Sequence, residues 1–253
     1  MTSAVSAVNG EARDQTPMRI LFVVKQTGVL RHFEEVLLNL ADRGHRVRIA
    51  SPDDDPVRLP EVFGRCSRIS DTVCPSTRSD QWREVIGILR GCRSYARYWH
   101  PAFDNASKLR MRAFRKVAPE LSTGGNTHLK TRCPKCQAIL RNEEITEIVR
   151  AIGQGQSSRL HRFAQLVEAG VPSDPVIEGF LRRERPDLVV VTPLVNHQSF
   201  QPDYVKSAQA LGVPTVAPIF SWDNLTNKGL MHVIPDQVLV WNETQRREAI
   251  ELH

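Results

Sequence analysis

A strand–helix–strand pattern near the start of the chain constrains the fold more than any other feature. Arg19–Val24 is a short apolar run typical of a strand covered on both faces. From Leu30 to Arg43 the apolar residues recur at helical spacing, and Gly44 is placed to end this helix in the left-handed conformation. Arg46–Ala50 reads as a second strand. The pattern predicts a βαβ unit with parallel strands and a right-handed crossover.

The same alternation returns at Pro186 and runs to the last residue. It predicts strands at Leu188–Thr192, Thr215–Phe220 and Gln237–Trp241, with a helix at Gln201–Leu211 between the first two. A weaker strand is predicted at Arg68–Val73. Asn242, followed three residues later by Gln245, predicts a helix start, and the chain reaches His253 inside that helix, so we expect an incomplete polypeptide.

These elements predict an α/β fold, a Rossmann-like doubly wound parallel sheet with a helical insertion. Residues 1–17 are polar and small without periodicity, and we expect a disordered leader there. Residues 18–253 form the predicted domain, with the insertion at about 78–180. Within it, helices are predicted at 82–99, 105–117, 143–152, 158–169 and 174–185, with a long loop at 119–141.

The positive charge of the chain belongs to that insertion. The net charge is +6, yet residues 78–116 carry ten Lys or Arg against Asp80, Glu84 and Asp104, a surplus of seven. Aromatic residues are interleaved with the cations, which suits an anionic membrane surface, a phosphorylated acceptor or nucleic acid. Of these three partners, we predict peripheral contact with a membrane surface and no nucleic-acid partner. The favoured alternative is a helix pair that buries its aromatics and solvates its arginines.

Cysteine use and hydropathy bear on the compartment. Five cysteines, an odd and scattered number, do not resemble a disulfide framework. Cys133 and Cys136 could supply half of a zinc site, but no second closely spaced pair follows, so we expect free thiols and no metal. The sequence has no apolar run of about 20 residues and no signal peptide, and the predicted location is cytoplasmic, with membrane-peripheral contact as above.

Three loops should meet at the carboxyl edge of the predicted sheet, where open parallel sheets bind ligands. They are Lys25–His32, Thr192–Ser199 and Ser221–Lys228. The first lacks G-x-G-x-x-G and has only Gly28, so a bound NAD or FAD is not expected and no cofactor is predicted.

The candidate site residues lie in these loops. His32 is predicted in the first turn of helix 1, where a neutral imidazole could take a proton from a hydroxyl; a solvent-facing or capping histidine is the alternative. Asp223 and Asn224 can bind sugar hydroxyls, Trp222 offers a face to a ring, and Lys228 can meet a phosphate or carboxylate. The alternative is ordinary turn chemistry. His32 and Asp223 are the predicted catalytic residues, and the predicted substrate-binding residues are Gly28, Arg31, Thr192, Asn196, Ser221, Trp222, Asn224 and Lys228.

Several of these segments resemble a known family. The run MRILFVVKQTGVLRHFEEVLLNLADRGHRVRIA is similar to the opening βαβ unit of GT-B-fold glycosyltransferases, including the R-G-H-x-V run at residues 43–47. The segments RPDLVVVTPLVN and GVPTVAPIFSWDNLTNKG resemble bacterial enzymes of the surface-polysaccharide type. The resemblance covers 18–60 and 186–253 well, and 61–185 only around RYWHPAF.

The resemblance implies transfer of a sugar from a nucleotide-sugar donor to an acceptor hydroxyl, usually without a bound metal. The acceptor would be a carbohydrate or a lipid-linked molecule. In that family the amino-terminal domain binds the acceptor and the carboxyl-terminal domain holds most of the donor, so this chain would supply the acceptor-side half and be inactive alone. His32 lies near the position of the histidine base that some such enzymes carry. A nucleotide-sugar epimerase of related fold, or a non-catalytic binding domain, remains open.

Overall fold

The computed structural model describes residues 16–55, 59–99, 103–113, 157–196 and 199–253. Four predictions lie wholly or largely outside these ranges: the leader, the long loop at 119–141, the pair Cys133 and Cys136, and the helix at 143–152.

The described strands form one parallel sheet. The strands are β1 Arg19–Val24, β2 Arg46–Pro52, β3 Ile69–Cys74, β4 Leu188–Thr192, β5 Thr215–Pro218 and β6 Gln237–Leu239. Their spatial order is β3-β2-β1-β4-β5-β6, with every neighbouring pair parallel. In this doubly wound order, β2 and β3 are added on one side of β1 and β4, β5 and β6 on the other, which confirms the predicted α/β fold class.

Helices cover both faces of the sheet. The helices are α1 Glu34–Asp42, α2 Arg83–Ala96, α3 Ser157–Gly170, α4 Pro175–Glu184, α5 Gln201–Ala210, α6 Asn224–Asn227 and α7 Glu243–Leu252, with short 3-10 helices at Thr27–His32, Glu61–Phe63 and Arg97–Trp99. Residues 107–113, within the helix predicted at 105–117, are helical as well. On one face α1 packs against side chains such as Phe22, Val24 and Ile49. On the other face α4 and α5 pack against Leu21 and Val191.

Helix termini agree with the signals in the sequence. Gly44 follows α1 with φ +94°, a conformation that costs a residue with a Cβ about 1 kcal/mol or more. Asp174 caps α4 by accepting hydrogen bonds from the backbone N–H groups of Val176 and Ile177. Asn242 caps α7 by accepting from the N–H of Gln245, which confirms the predicted helix start.

Several element boundaries differ from prediction, most of them by one or two residues, as where β2 extends to Pro52 instead of ending at Ala50. The first helix begins at Glu34 rather than Leu30, because Thr27–His32 forms a separate 3-10 helix that ends where Phe33 donates its N–H to Leu30. Strand β5 ends at Pro218 and β6 at Leu239, each two residues early. Ile219 still donates to the carbonyl of Leu239, so the change affects only the fraying end of this pair.

The insertion is joined to the sheet domain by a buried ion-pair layer. Arg78 and Arg90 both bind Asp203 at the start of α5, at 3.0 and 2.8 Å. Glu168 of α3 forms ion pairs with both Arg90 and Lys206, each at 2.9 Å. Asp80, which pairs with Arg78, completes the layer. We use the name buried ion-pair layer for these six residues.

The structure contradicts the expectation of solvated arginines for Arg78, Arg90 and Arg93, which are all buried, whereas Arg83 is exposed as expected. Arg90 is buried because α3 and α5 bring Glu168 and Asp203 against the face of α2 that carries it. The accompanying expectation about aromatics is confirmed for Tyr95 and Tyr98, which are buried.

Two further findings concern only the described residues. None of the helices described is long and apolar enough to cross a membrane. Within the same ranges there is no group of three or more His, Cys, Asp or Glu side chains arranged to hold a metal ion.

Candidate functional site at the carboxyl edge of the sheet

The structure brings the three predicted loops together at the carboxyl edge of β1, β4 and β5. Lys25 donates its backbone N–H to the carbonyl of Thr192 at 3.3 Å, which ties the first loop to the second. The hydroxyl of Thr192 donates to the carbonyl of Pro218 at 3.2 Å, which ties the second loop to the end of β5, three residues before the third loop. The rings of His32 and Phe220 lie 5.6 Å apart between centroids. Residues nearly 200 positions apart in sequence therefore share one edge.

Gln201 fixes the point where β1 and β4 diverge. Its fully buried side-chain amide donates to the carbonyl of Val23 at 2.9 Å and to that of Thr192 at 2.7 Å. The amide oxygen is buried and has no hydrogen-bond partner within the described structure. The sequence pattern predicts Gln201 only as the first residue of a helix. No local spacing of residues indicates that its side chain will bond to the ends of two strands.

The first loop holds Gly28, Arg31 and His32 at the surface. Thr27 anchors it, donating its backbone N–H to Asp55 at 2.9 Å. A Cβ placed on Gly28 would meet no atom within 4 Å, so the space in front of it is open, and its backbone is not in the left-handed region. Glycine at this position is therefore compatible with close approach of a ligand but is not required by the fold.

His32 ends the 3-10 helix instead of occupying the first turn of α1. Arg31 donates from Nε to Nε2 of His32 at 3.2 Å, so that nitrogen is an acceptor and its lone pair is occupied. Both side chains are exposed. The imidazole could take a proton through Nε2 only after Arg31 moves aside.

The second loop contributes mainly structure. Thr192 is fully buried, and its hydroxyl and carbonyl are both engaged by neighbouring strands and by Gln201. Asn196 is half-buried, and its backbone carbonyl accepts from the N–H of Ser199 at 3.2 Å. His197, a secondary candidate, lies outside the described residues.

The third loop, Ser221–Lys228, bonds largely to itself. Ser221 donates its backbone N–H to the buried Asn224 side chain at 3.0 Å and its hydroxyl to Asp223 at 2.6 Å. Lys228 pairs with the other oxygen of Asp223 at 3.1 Å. These bonds are the turn chemistry weighed as the alternative, and they account for Ser221 and Asn224 without a ligand. They do not account for Trp222, whose side chain is left largely in solvent at 73% exposure.

Charges around Asp223 and Lys25 shape what this edge can do. Partial burial works to raise the pKa of Asp223, but the Ser221 hydroxyl and the Lys228 ammonium outweigh it and leave the pKa below the usual range. Asp223 is therefore ionised at neutral pH and suited to accept hydrogen bonds, while a low pKa makes it a weak base. Burial lowers the pKa of Lys25, the first residue after β1 and one that sequence reasoning did not single out as a site residue.

The third loop is held from the insertion and from α7. Arg97 donates to the carbonyl of Thr226 at 2.9 Å, and the Gln245 amide donates to that of Ser221 at 3.4 Å. His253 donates from Nε2 to the carbonyl of Leu225 at 2.8 Å and accepts the N–H of Met231 at Nδ1. None of these anchors was predicted, because each lies 22 to 129 residues from its partner.

A cavity of about 630 Å³ lies at the opposite edge, at the amino ends of β1, β2 and β3. It contains none of the predicted site residues. Four arginines contribute to its walls, two of them paired with Asp187 and Glu184. The arginines are Arg19, Arg46, Arg48 and Arg68.

The chain resembles a solved glycosyltransferase structure in part of its length. No protein-family model matches the chain, and no curated protein matches it. A solved structure of the glycosyltransferase VinC in complex with dTDP aligns with 82% of this chain. The sequence identity is 17%, and the TM-score is 0.35. The alignment spans 36% of the length of that glycosyltransferase, so this chain corresponds to about a third of it.

Proposed function

We propose that the protein transfers a sugar from a nucleotide-sugar donor to an acceptor hydroxyl, and that this chain supplies the acceptor-binding half. The observation that carries the proposal is the position of Trp222, an exposed indole at the carboxyl edge of β5, beside the ionised Asp223 and its partner Lys228. An aromatic face beside a carboxylate and an ammonium is a typical arrangement for binding a sugar ring and its hydroxyl groups.

Each residue of the edge has a role in this proposal. Trp222 stacks on the sugar ring of the acceptor, and Asp223 accepts hydrogen bonds from the hydroxyl groups of that ring. Lys228 or Arg31 binds a phosphate group of the substrate. His32 takes the proton of the attacking hydroxyl at Nε2 once Arg31 has turned away from it. Gly28 leaves room for the acceptor to approach. In this proposal Thr192, Asn196, Ser221 and Asn224, predicted as substrate-binding residues, act by holding the loops in place.

The donor class comes from the sequence resemblance and not from the site. The R-G-H-x-V run resembles GT-B glycosyltransferases, and the segment SWDNLTNKG resembles bacterial enzymes of the surface-polysaccharide type. With that resemblance we propose a second domain that holds the nucleotide, a cytoplasmic location, and no activity for this half alone. The proposal does not extend to membrane contact through 78–116, because Arg78, Arg90 and Arg93 of that segment are buried.

The test uses protein expressed from its complete reading frame. Purified protein is incubated with UDP-, GDP- and dTDP-sugars and octyl glycoside acceptors, and products are identified by mass while released nucleoside diphosphate is quantified. Transfer to an acceptor is the expected result. Isomerisation of a donor without transfer would favour an epimerase, and no consumption of any donor would favour a binding domain.

Trp222→Ala sharpens the same assay. Loss of the stacking surface should raise the KM for the acceptor by about tenfold with little change in kcat. Phe163→Ala is the matched control, because Phe163 is an exposed aromatic on α3, outside the three loops, and its removal should leave both constants unchanged. Equal kinetics in the two variants would remove Trp222 from the site.

A further inference from the structure

Two arginines lie behind the third loop, at the end of α2, with two histidines beside them. Arg93 is buried, with 2% of its surface exposed, and Arg97 is partly buried one turn further on. His161 of α3 and His232 stand beside them. We call Arg93, Arg97, His161 and His232 the cationic cluster.

The cluster is built into the fold by bonds to two segments outside α2. Arg93 donates from Nη1 to the carbonyl of His232 at 3.2 Å, and the Ser94 hydroxyl lies 3.0 Å from Nε2 of His232. Arg97 donates from Nη2 to the carbonyl of Thr226 at 2.9 Å and to the Tyr98 hydroxyl at 2.8 Å, and its guanidinium lies 4.8 Å from the centre of the Tyr98 ring. The two guanidinium groups are thus fixed in position by groups that carry no net charge.

The carboxylates of the buried ion-pair layer form no ion pair with Arg93 or Arg97. In the buried ion-pair layer, the three cations Arg78, Arg90 and Lys206 are matched by the three anions Asp80, Glu168 and Asp203. Glu168 is close enough to Arg93 to act on its charge, but its two oxygens are already bound by Arg90 and Lys206. Among the described residues, neither Arg93 nor Arg97 forms an ion pair.

Several donors of the cluster also lack a hydrogen-bond acceptor in the part of the chain that the structure describes. They are Nε of Arg93 and both Nε and Nη1 of Arg97, and all three are buried. Nδ1 of His232 is buried without a partner as well. Burying an unpaired guanidinium costs several kcal/mol, so such a group calls for an anion.

The pKa directions of the surrounding histidines agree with a local surplus of positive charge. Burial lowers the pKa of His161, and Arg93 and Arg97 lower it further. Burial also lowers the pKa of His232, with added repulsion from Arg90 and Arg93. Protonation of either ring is therefore opposed by the same field that would attract an anion.

We propose that the cationic cluster binds a phosphoryl group, with Arg93 and Arg97 as its ligands. Guanidinium N–H groups match the oxygens of a phosphate better than those of a single-atom anion such as chloride, and charge-assisted bonds of this kind are about twice as strong as neutral ones. The group could arrive as free phosphate or as part of a phosphate ester. The inference stands whether or not the protein transfers sugars.

The experiment measures binding of inorganic phosphate by calorimetry and by the shift in Tm, in buffers matched for ionic strength with chloride. Saturable binding and a raised Tm are expected for the unaltered protein. Arg93→Met should weaken phosphate binding by about tenfold or more, because one charge-assisted ligand is lost. Arg83→Met, which removes an exposed cation from the first turn of the same helix, should leave binding unchanged.

A second measurement distinguishes a loss of phosphate binding from unfolding of the variant. In phosphate-free buffer, Arg93→Met should be as stable as the parent or more so, since it removes an unpaired buried charge. Marked destabilisation would show that the charge is balanced inside the protein and would overturn the proposal. Arg97→Met provides an independent variant with the same expected loss of binding.

A second ligand shows whether the site takes free phosphate or a phosphate ester. Glucose 1-phosphate competing with inorganic phosphate would assign the site to phosphate esters, and phosphate binding without such competition would assign it to the free ion. Absence of saturable phosphate binding, or equal binding by Arg93→Met, Arg97→Met and Arg83→Met, would contradict the inference.

Discussion

The third loop and the buried ion-pair layer are both polar clusters, but they are assembled differently. In the loop, Ser221, Asp223, Asn224 and Lys228 bond across two to five positions of sequence. In the layer, only the Arg78–Asp80 pair is local, and the bonds of Arg78 and Arg90 to Glu168 and Asp203 join residues 78 to 125 positions apart. The loop could be found by reading the sequence, whereas most of the layer could not, because Glu168 and Asp203 come from other helices.

The two clusters also differ in what they contribute to stability. The Asp223–Lys228 pair has a lysine side chain that is 45% exposed, and exposed pairs contribute about 0–1 kcal/mol. The side chains of Arg90, Glu168 and Asp203 are all at most 9% exposed. Removing one partner from such a site leaves a buried charge unpaired, which is far more costly than losing the pair at the surface.

The largest effect is expected at Asp203, which pairs with two arginines. Asp203→Ala should lower the free energy of unfolding by about 3–5 kcal/mol, because Arg78 and Arg90 each lose a buried partner. Urea denaturation measures the change. Glu243→Ala, which breaks an exposed pair with Arg246, is the control and should cost no more than about 0.5 kcal/mol. Similar losses in both variants would show that the layer is not structural.

A smaller effect should come from His253, which ties α7 to the third loop. Burial lowers the pKa of His253 from 6.5 to about 4, with the Leu225 carbonyl working against this and Arg97 and Arg93 adding to it. Between these pH values the unfolded chain binds more protons than the folded one, so stability falls as pH falls from 6.5 towards 4. The loss from this residue should reach roughly 3 kcal/mol.

His253→Gln tests this pH dependence. Glutamine can donate and accept hydrogen bonds but does not titrate, so the variant should show a shallower fall in unfolding free energy between pH 6.5 and pH 4. The carboxylates are the same in both proteins, so their contributions to the pH dependence of stability cancel in the comparison. Equal slopes would mean that His253 is not held neutral by the fold.

Much of the fold follows from local signals. The bounds of β1 and β4, the helix end at Gly44 and the cap at Asn242 all agree with prediction, since each depends on neighbouring residues. The start of α1 was wrong by four residues, because a 3-10 helix and an α-helix share the same apolar spacing over one turn.

The candidate site was predictable only in part. That Lys25–His32, Thr192–Ser199 and Ser221–Lys228 meet follows from parallel topology alone. That Gln201 joins β1 to β4 and Arg97 supports Thr226 depends on distances in three dimensions, which no local spacing encodes. Arg93 illustrates the same limit, since in the sequence it is one cation of a basic segment and in the fold it is buried.

The contrast between the two clusters is tested most directly at Asp223, in the protein expressed from its complete reading frame. Asp223→Asn keeps the shape of the side chain and removes its charge, and kcat/KM for sugar transfer is the quantity to measure beside the free energy of unfolding. Our account predicts a fall in kcat/KM of about tenfold or more, with stability unchanged to within about 0.5 kcal/mol. Unchanged kcat/KM, or a loss of stability as large as that of Asp203→Ala, would contradict it.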